Sequence, residues 1–332
     1  MSLAERWGRY WFADAPYFDL ALMRIAVAGF QFYFLLDTQY ASLQYVLSLP
    51  HDLFHADARI LRLFLWPMGW HTPPSAELVY AVFWITLVAG LGAVFGALTT
   101  ISVAVFALGN LLIQAYLFSF TDYHHPEAIA ILGTMALALS PCGRVLSVDN
   151  LVRRWRSSGA GEPATTVPLL DLSGPYAGWP ILFIQWFFPL MYISAAVAKL
   201  AFSDYTLHWA NGYTLQYYMI QDYIRKDAVL GLVVAPFHWP IVLGQYVVLI
   251  YQLTYFLVVP FKKLRWIYLP LGLTFHLANF FILRAPFPQW IMFLLLAYIP
   301  WSTTFKMLAA ARVPAGLPAA RPGVTTGARI GA

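Results

Sequence analysis

The chain has 332 residues, 61% of them hydrophobic and only 11% charged, with a formal net charge of +5. Soluble domains carry about 25% charged residues, so this composition excludes an ordinary soluble enzyme and points to an all-α, polytopic integral membrane bundle. A single cysteine, Cys142, excludes an intrachain disulfide and any CxxC redox pair.

Residues 1–18, with Trp7, Trp11, Arg6 and Arg9, read as a short interfacial segment. They show no basic–apolar–cleavage order, so no removable signal peptide is expected. The first span is predicted over about Leu20–Leu36, closed by Asp37 and carrying an internal Arg24. Residues 41–74 are too polar to span cleanly, and their apolar pieces suggest surface-lying or re-entrant helices. Residues 78–121 carry no full charge, which is 44 residues or about two spans of 20, broken near Gly96–Ser102. After the turn TDYHHPE comes a short fourth span, about Ala128–Pro141, and then a basic loop over 143–175. The fifth span is predicted at Trp179–Ala201, followed by a polar-aromatic loop (202–238) in which GYTLQYYMIQDYI suggests an amphipathic helix. Spans six to eight fall at about Pro240–Pro260, Trp266–Leu283 and Phe287–Phe305. The transmembrane domain is thus expected over 19–307. Residues 308–332, rich in Ala, Gly, Pro and Arg, read as a disordered cytoplasmic tail.

Eight spans with both termini cytoplasmic put thirteen Lys and Arg residues inside and five outside, leaving only Arg24 and Lys199 in the membrane. That asymmetry fits the positive-inside rule, and a bacterial inner membrane is the expected location. It also explains the positive net charge without a nucleic-acid partner.

Arg24 and Gln31 are seven apart on one face of the first span. A charged arginine in hydrocarbon is costly, so it either faces a partner or water-filled cavity or clamps helix ends by hydrogen bonds. Lys199, at the end of an otherwise uncharged helix, either snorkels to the surface or is held among polar partners as a functional group. Tyr192 and Gln185 lie seven and fourteen residues before it on the same face. Desolvation would make its amine a base or Schiff-base nucleophile, whereas a structural pair with Asp37 would hold the ammonium. Trp209, Gly212 and Tyr213 follow in a segment suited to the membrane surface.

His124 and His125 offer a hydrogen-bonding element for an outer pocket, or serve as ordinary interfacial histidines. Adjacent histidines rarely chelate one ion, and no HExxH or carboxylate cluster accompanies them, so no metal is expected. His276 and Asn279, one turn apart in an apolar span, should point inward, as site residues or as an interhelical hydrogen bond. The i+4 pair Asn110/Gln114 and the i+7 pair Gln245/Gln252 read as packing glue. No Walker loop, GxGxxG or GxSxG motif occurs, so no nucleotide cofactor is expected.

Several stretches in order resemble the HTTM membrane domain, the membrane part of the vitamin K-dependent gamma-carboxylase family. They are LALMRIAVAGFQFYFLLD with Arg24 and Asp37, SVDNL at 147–151, AAVAKLAFSDYTLHWANGYTLQYY, and TFHLANFF, and the likeness covers roughly residues 15–305. In that family the matching lysine is the base that deprotonates vitamin K hydroquinone, starting a reaction with oxygen that ends in carboxylation of glutamate. The resemblance implies Lys199 as a quinol base, His276 with it, and Arg24, Gln31, His124, His125, Tyr192, Trp209 and Asn279 around the substrate. Its cofactor would be a reduced quinone, and its partners membrane lipids and a lipophilic small molecule. The 332 residues hold no counterpart of the family's luminal β-rich region, which favours small-molecule redox chemistry over protein carboxylation. A non-catalytic scaffold for a membrane or periplasmic protein, or a small-molecule carrier, is the alternative expectation.

Overall fold

The computed structural model describes residues 1–54, 73–120, 127–159 and 167–311. The described residues form helices and the turns between them, with one antiparallel pair of two-residue strands in which Ala15 faces Gly174 and Pro16 faces Ser173. Helix α1 (Leu3–Phe12) starts on a capping box between Ser2 and Glu5 and buries no residue. Its Tyr10 hydroxyl accepts from Trp186 Nε1 at 2.6 Å, which ties it to the fifth span.

Among the described residues six helices are long and apolar enough to cross a membrane: Tyr17–Leu47, Ala76–Phe95, Thr99–Phe118, Trp179–Ala201, His238–Val258 and Lys262–Leu283. A seventh crossing results if Pro288–Tyr298 and Trp301–Ala311, bent by 70°, count as one. Helix Ala128–Ala138 has 11 residues. At 1.5 Å per residue it reaches about 16 Å, short of a hydrocarbon core of about 30 Å. Each of the eight expected spans corresponds to a helical element, but six, or seven with the bent pair, are long and apolar enough to cross, and the short fourth is not.

In chain order α2 (Tyr17–Phe34) passes through a π-helical turn (Leu35–Gln39) into α3 (Tyr40–Leu47), then come α4 (Ala76–Phe95), α5 (Thr99–Phe118), α6 (Ala128–Ala138), α7 (Val148–Gly159) and α8 (Trp179–Ala201). The remainder are α9 (Tyr213–Lys226), α10 (Val229–Val234), α11 (His238–Thr254), α12 (Arg265–Leu283), α13 (Pro288–Tyr298) and α14 (Trp301–Ala311). The first span is therefore longer than expected. Asp37 does not close it, because the π turn carries the exposed carboxylate and the helix continues for another two turns and more. The amphipathic helix expected in the 202–238 loop is α9. Helix α14 runs to Ala311, so the first four residues of the expected tail are helical and the rest lie outside the described residues.

Short, apolar α6 is almost entirely buried and packs against α2, α5 and α8. The core draws on α2, α4, α5, α6, α8 and α13, while α12 keeps most of its surface outward, as a lipid-facing helix should. Helix α8 packs against both α6 and α11, and α13 against both α2 and α12, so these two helices join the first half of the bundle to the second.

Candidate functional site

Lys199 lies in the last turn of α8, where four carbonyls lack intrahelical partners and a cation is favoured. Its Nζ donates to Ala195 O at 3.3 Å and to Gln252 Oε1 of α11 at 3.1 Å. The indole of Trp209 lies beside it, with Nζ 5.3 Å from the ring centroid, within cation–π range. The pair with Asp37 is not formed. Asp37 is exposed on the π turn and its Oδ2 accepts from Thr38, and among the described residues no carboxylate lies within ion-pair distance of Lys199. The two side chains take separate partners, Thr38 and Gln252, which spacing in the chain could not reveal.

The loop that presents Trp209 is held by the amide of Gln245, two turns before Gln252 on the same face of α11. Gln245 Nε2 donates to Trp209 O at 2.7 Å, and its Oε1 accepts from Gly212 N at 2.7 Å. Gly212 has φ of 87°, and a Cβ there would lie 2.7 Å from the His238 ring. Only glycine fits without strain. The Trp-x-x-Gly spacing is thus a turn clamped at both ends by one glutamine.

Two turns deeper along α8, the Tyr192 hydroxyl meets His276 Nε2 at 2.7 Å, both side chains buried. His276 Nδ1 is buried with no hydrogen-bond partner, an arrangement that costs about 1–3 kcal/mol unless a guest satisfies it. Around this pair stand Phe188, Tyr251, Tyr255 and Trp290, with ring centroids 4.8–5.4 Å from Tyr192. Asn279 is partly buried one turn after His276, and its backbone carbonyl accepts from Arg284 N and Ala285 N at the helix end. Tyr192 and Lys199 lie two turns apart on α8, and their partners Tyr251 and Gln252 are adjacent on α11, so the aromatic cluster and the lysine share the same pair of helices. Gln185, expected on this face, is turned elsewhere: its Nε2 donates to Ala297 O and its Oε1 accepts from Arg265.

Arg24 is not brought to this region. Fully buried, it donates through Nε to Cys142 O (3.2 Å), through Nη1 to Ala93 O (2.5 Å) and Val94 O (2.8 Å), and through Nη2 to Leu146 O (2.5 Å). Those carbonyls end α4 and lead into α7, so its geometry is a clamp on helix ends. Gln31, on the same helix, accepts from Thr134 Oγ1 of α6 at 2.5 Å. Its neighbour Gln39, placed inward by the π turn, donates to Gln114 Oε1 at 2.8 Å and keeps its own oxygen buried without a partner. His124 and His125 lie outside the described residues.

Sequence reasoning missed what SVDNL does. Asp149 accepts from Leu98 N (2.9 Å), Thr99 N (2.7 Å) and Thr99 Oγ1 (2.7 Å), so it caps α5 from a distant helix. Ser147 caps its own helix by accepting from Asn150 N at 3.0 Å. Partial burial raises the Asp149 pKa, but the bonds from Thr99 and Leu98 outweigh it and hold the carboxyl below its ordinary value. The signal available in the sequence was the Ser three residues before Asn150, a helix-start pattern. The role of Gln252 was legible only as half of an i+7 pair.

The bundle of membrane-length helices, with Arg24, Gln245 and His276 buried inside it, defines a multi-pass membrane protein. The HTTM domain model matches residues 19–301, and the chain belongs to that family. No curated protein and no solved structure matches it. Among the described residues no cluster of three or more His, Cys, Asp or Glu is placed to hold a metal ion.

Proposed function

We propose that this chain is a carboxylase-like membrane enzyme acting on a quinol or another lipophilic small molecule, with Lys199 as its base. The observation that supports this most directly is the company Lys199 keeps: an amide oxygen, a backbone carbonyl and an indole face, with no fixed counter-anion among the described residues. A lysine bound by neutral acceptors gives up its proton far more readily than one locked to a carboxylate. When bound, a hydroquinone would supply an acidic hydroxyl and an electron-rich ring. Lys199 Nζ takes the hydroxyl proton, so that an O–H bond breaks, an N–H bond forms, and the electron pair stays on oxygen. Trp209 offers a ring face for an apolar substrate, and the unpartnered His276 Nδ1 offers a hydrogen bond to a second oxygen. Tyr192 fixes the His276 ring through Nε2.

In this reading the protein resides in a bacterial inner membrane with both termini cytoplasmic and the Lys199 end of α8 facing outward. The thirteen-to-five charge asymmetry supports that orientation.

Quinol oxidation by the purified chain in nanodiscs tests the reading, wild type beside Lys199→Arg and Lys199→Ala. Turnover by wild type, lost in both variants while folding is intact, is expected, because arginine keeps a cation but cannot act as a base. Turnover that survives Lys199→Arg would sink the base assignment. Absence of turnover across several quinols would move the weight to a scaffold for a membrane or periplasmic partner.

A further inference from the structure

Helix α12 ends a membrane-length segment at Leu283, and the next residue, Arg284, stands in a left-handed conformation with φ of 47°. Non-glycine residues adopt that conformation at a cost, and here it leaves an exposed guanidinium just past the end of a membrane-length helix, where a span is expected to meet the headgroups. Arg284 has no carboxylate partner among the described residues, whereas Lys226 at the end of α9 is paired with Asp222 at 2.9 Å. Below Arg284 a groove of about 400 Å³ opens between α10 and α12, lined by Val229, Leu230, Val233, Phe280 and Phe281 with Arg284 at its rim. All five apolar side chains are 40–58% exposed. The groove exists because α10 approaches the end of α12 closely at Gly231, where a Cβ would collide with the Ile282 carbonyl. An apolar channel running into hydrocarbon from a single unpaired cation at headgroup depth is complementary to one ligand shape: an anionic head above an acyl chain.

The geometry points to a specific site for one anionic phospholipid, its phosphate on Arg284 and one acyl chain against Phe280, Phe281, Leu230 and Val233. This site is separate from Lys199 and stands whether or not the chain turns over a quinol.

The test is native mass spectrometry of the full chain released from detergent with equimolar phosphatidylglycerol and phosphatidylcholine of identical acyl chains. Wild type is expected to retain one phosphatidylglycerol with about fivefold preference, the discrimination that one cation near the surface supplies. Arg284→Gln should bring the two lipids level, Arg284→Lys should keep the preference, and Leu230→Trp, which fills the groove, should lower retention of both. Equal retention by wild type, a preference that persists in Arg284→Gln, or unchanged retention in Leu230→Trp would each overturn the site. If Arg284→Gln fails to fold, a salt titration of wild type decides the matter. A preference that does not weaken as ionic strength rises is not an exposed arginine–phosphate contact.

Discussion

Arg24 and Lys199 are the two cations assigned to the membrane interior, and the structure treats them in opposite ways. Arg24 is wholly buried and spends its guanidinium on four carbonyls drawn from the ends of α4 and the approach to α7. Lys199 is half-buried and makes two long hydrogen bonds, one of them within its own helix. The first cation is saturated and therefore holds structure. The second is under-coordinated and keeps capacity for a proton or a substrate. Chain position alone would have ranked them alike.

The largest expected effect is on the saturated one. Arg24→Leu leaves four carbonyls without their donor, and at about 1–3 kcal/mol per unsatisfied buried group the folded protein should be lost. Arg24→Lys should rescue little, since one ammonium cannot reproduce the guanidinium fork. Size-exclusion profile and thermal midpoint in detergent read both variants, and a monodisperse Arg24→Leu with an unchanged midpoint would collapse the contrast. The second effect is on chemistry. Lys199→Arg should cut quinol turnover by about 10²–10⁴-fold, the range for losing a general base, while shifting the thermal midpoint little. Equal losses of midpoint and turnover would make Lys199 a structural cation like Arg24.

A smaller effect is expected at the turn that presents Trp209. Gly212→Ala puts a Cβ into the His238 ring and a side chain at positive φ, costing about 1–2 kcal/mol. Turnover should fall severalfold through the displaced indole, and tryptophan fluorescence should report the shift. The smallest is at the other end. Asp149→Asn weakens the cap on α5 by about 1 kcal/mol. Because the folded carboxyl titrates below its ordinary value, its contribution is complete above the unfolded pKa of about 3.9 and disappears as pH falls through the folded one. Thermal midpoints of wild type and Asp149→Asn should therefore converge below about pH 4. A gap that stays constant to pH 3 would exclude the charged cap.

Hydropathy was enough to locate the membrane-length helices, because lipid forces every span to satisfy its own backbone within an apolar segment. The order of motifs was enough to name the HTTM resemblance that the family match over 19–301 shows. The break near Gly96, the amphipathic helix after Lys199 and the inward histidine were all legible as local patterns. Three things were not. The extension of the first span past Asp37 depends on one π-helical turn, which has no composition signal. The partner of Lys199 proved to be Gln252, 53 residues away, and not Asp37, because which faces of α8 and α11 meet is set by packing across the bundle. Asp149 looked like part of a motif and proved to be the remote cap of α5, a role defined only where two loops meet. Local periodicity determined which residues could lie in the membrane. Contacts between distant segments decided which of them are spent on holding the fold and which remain free to act.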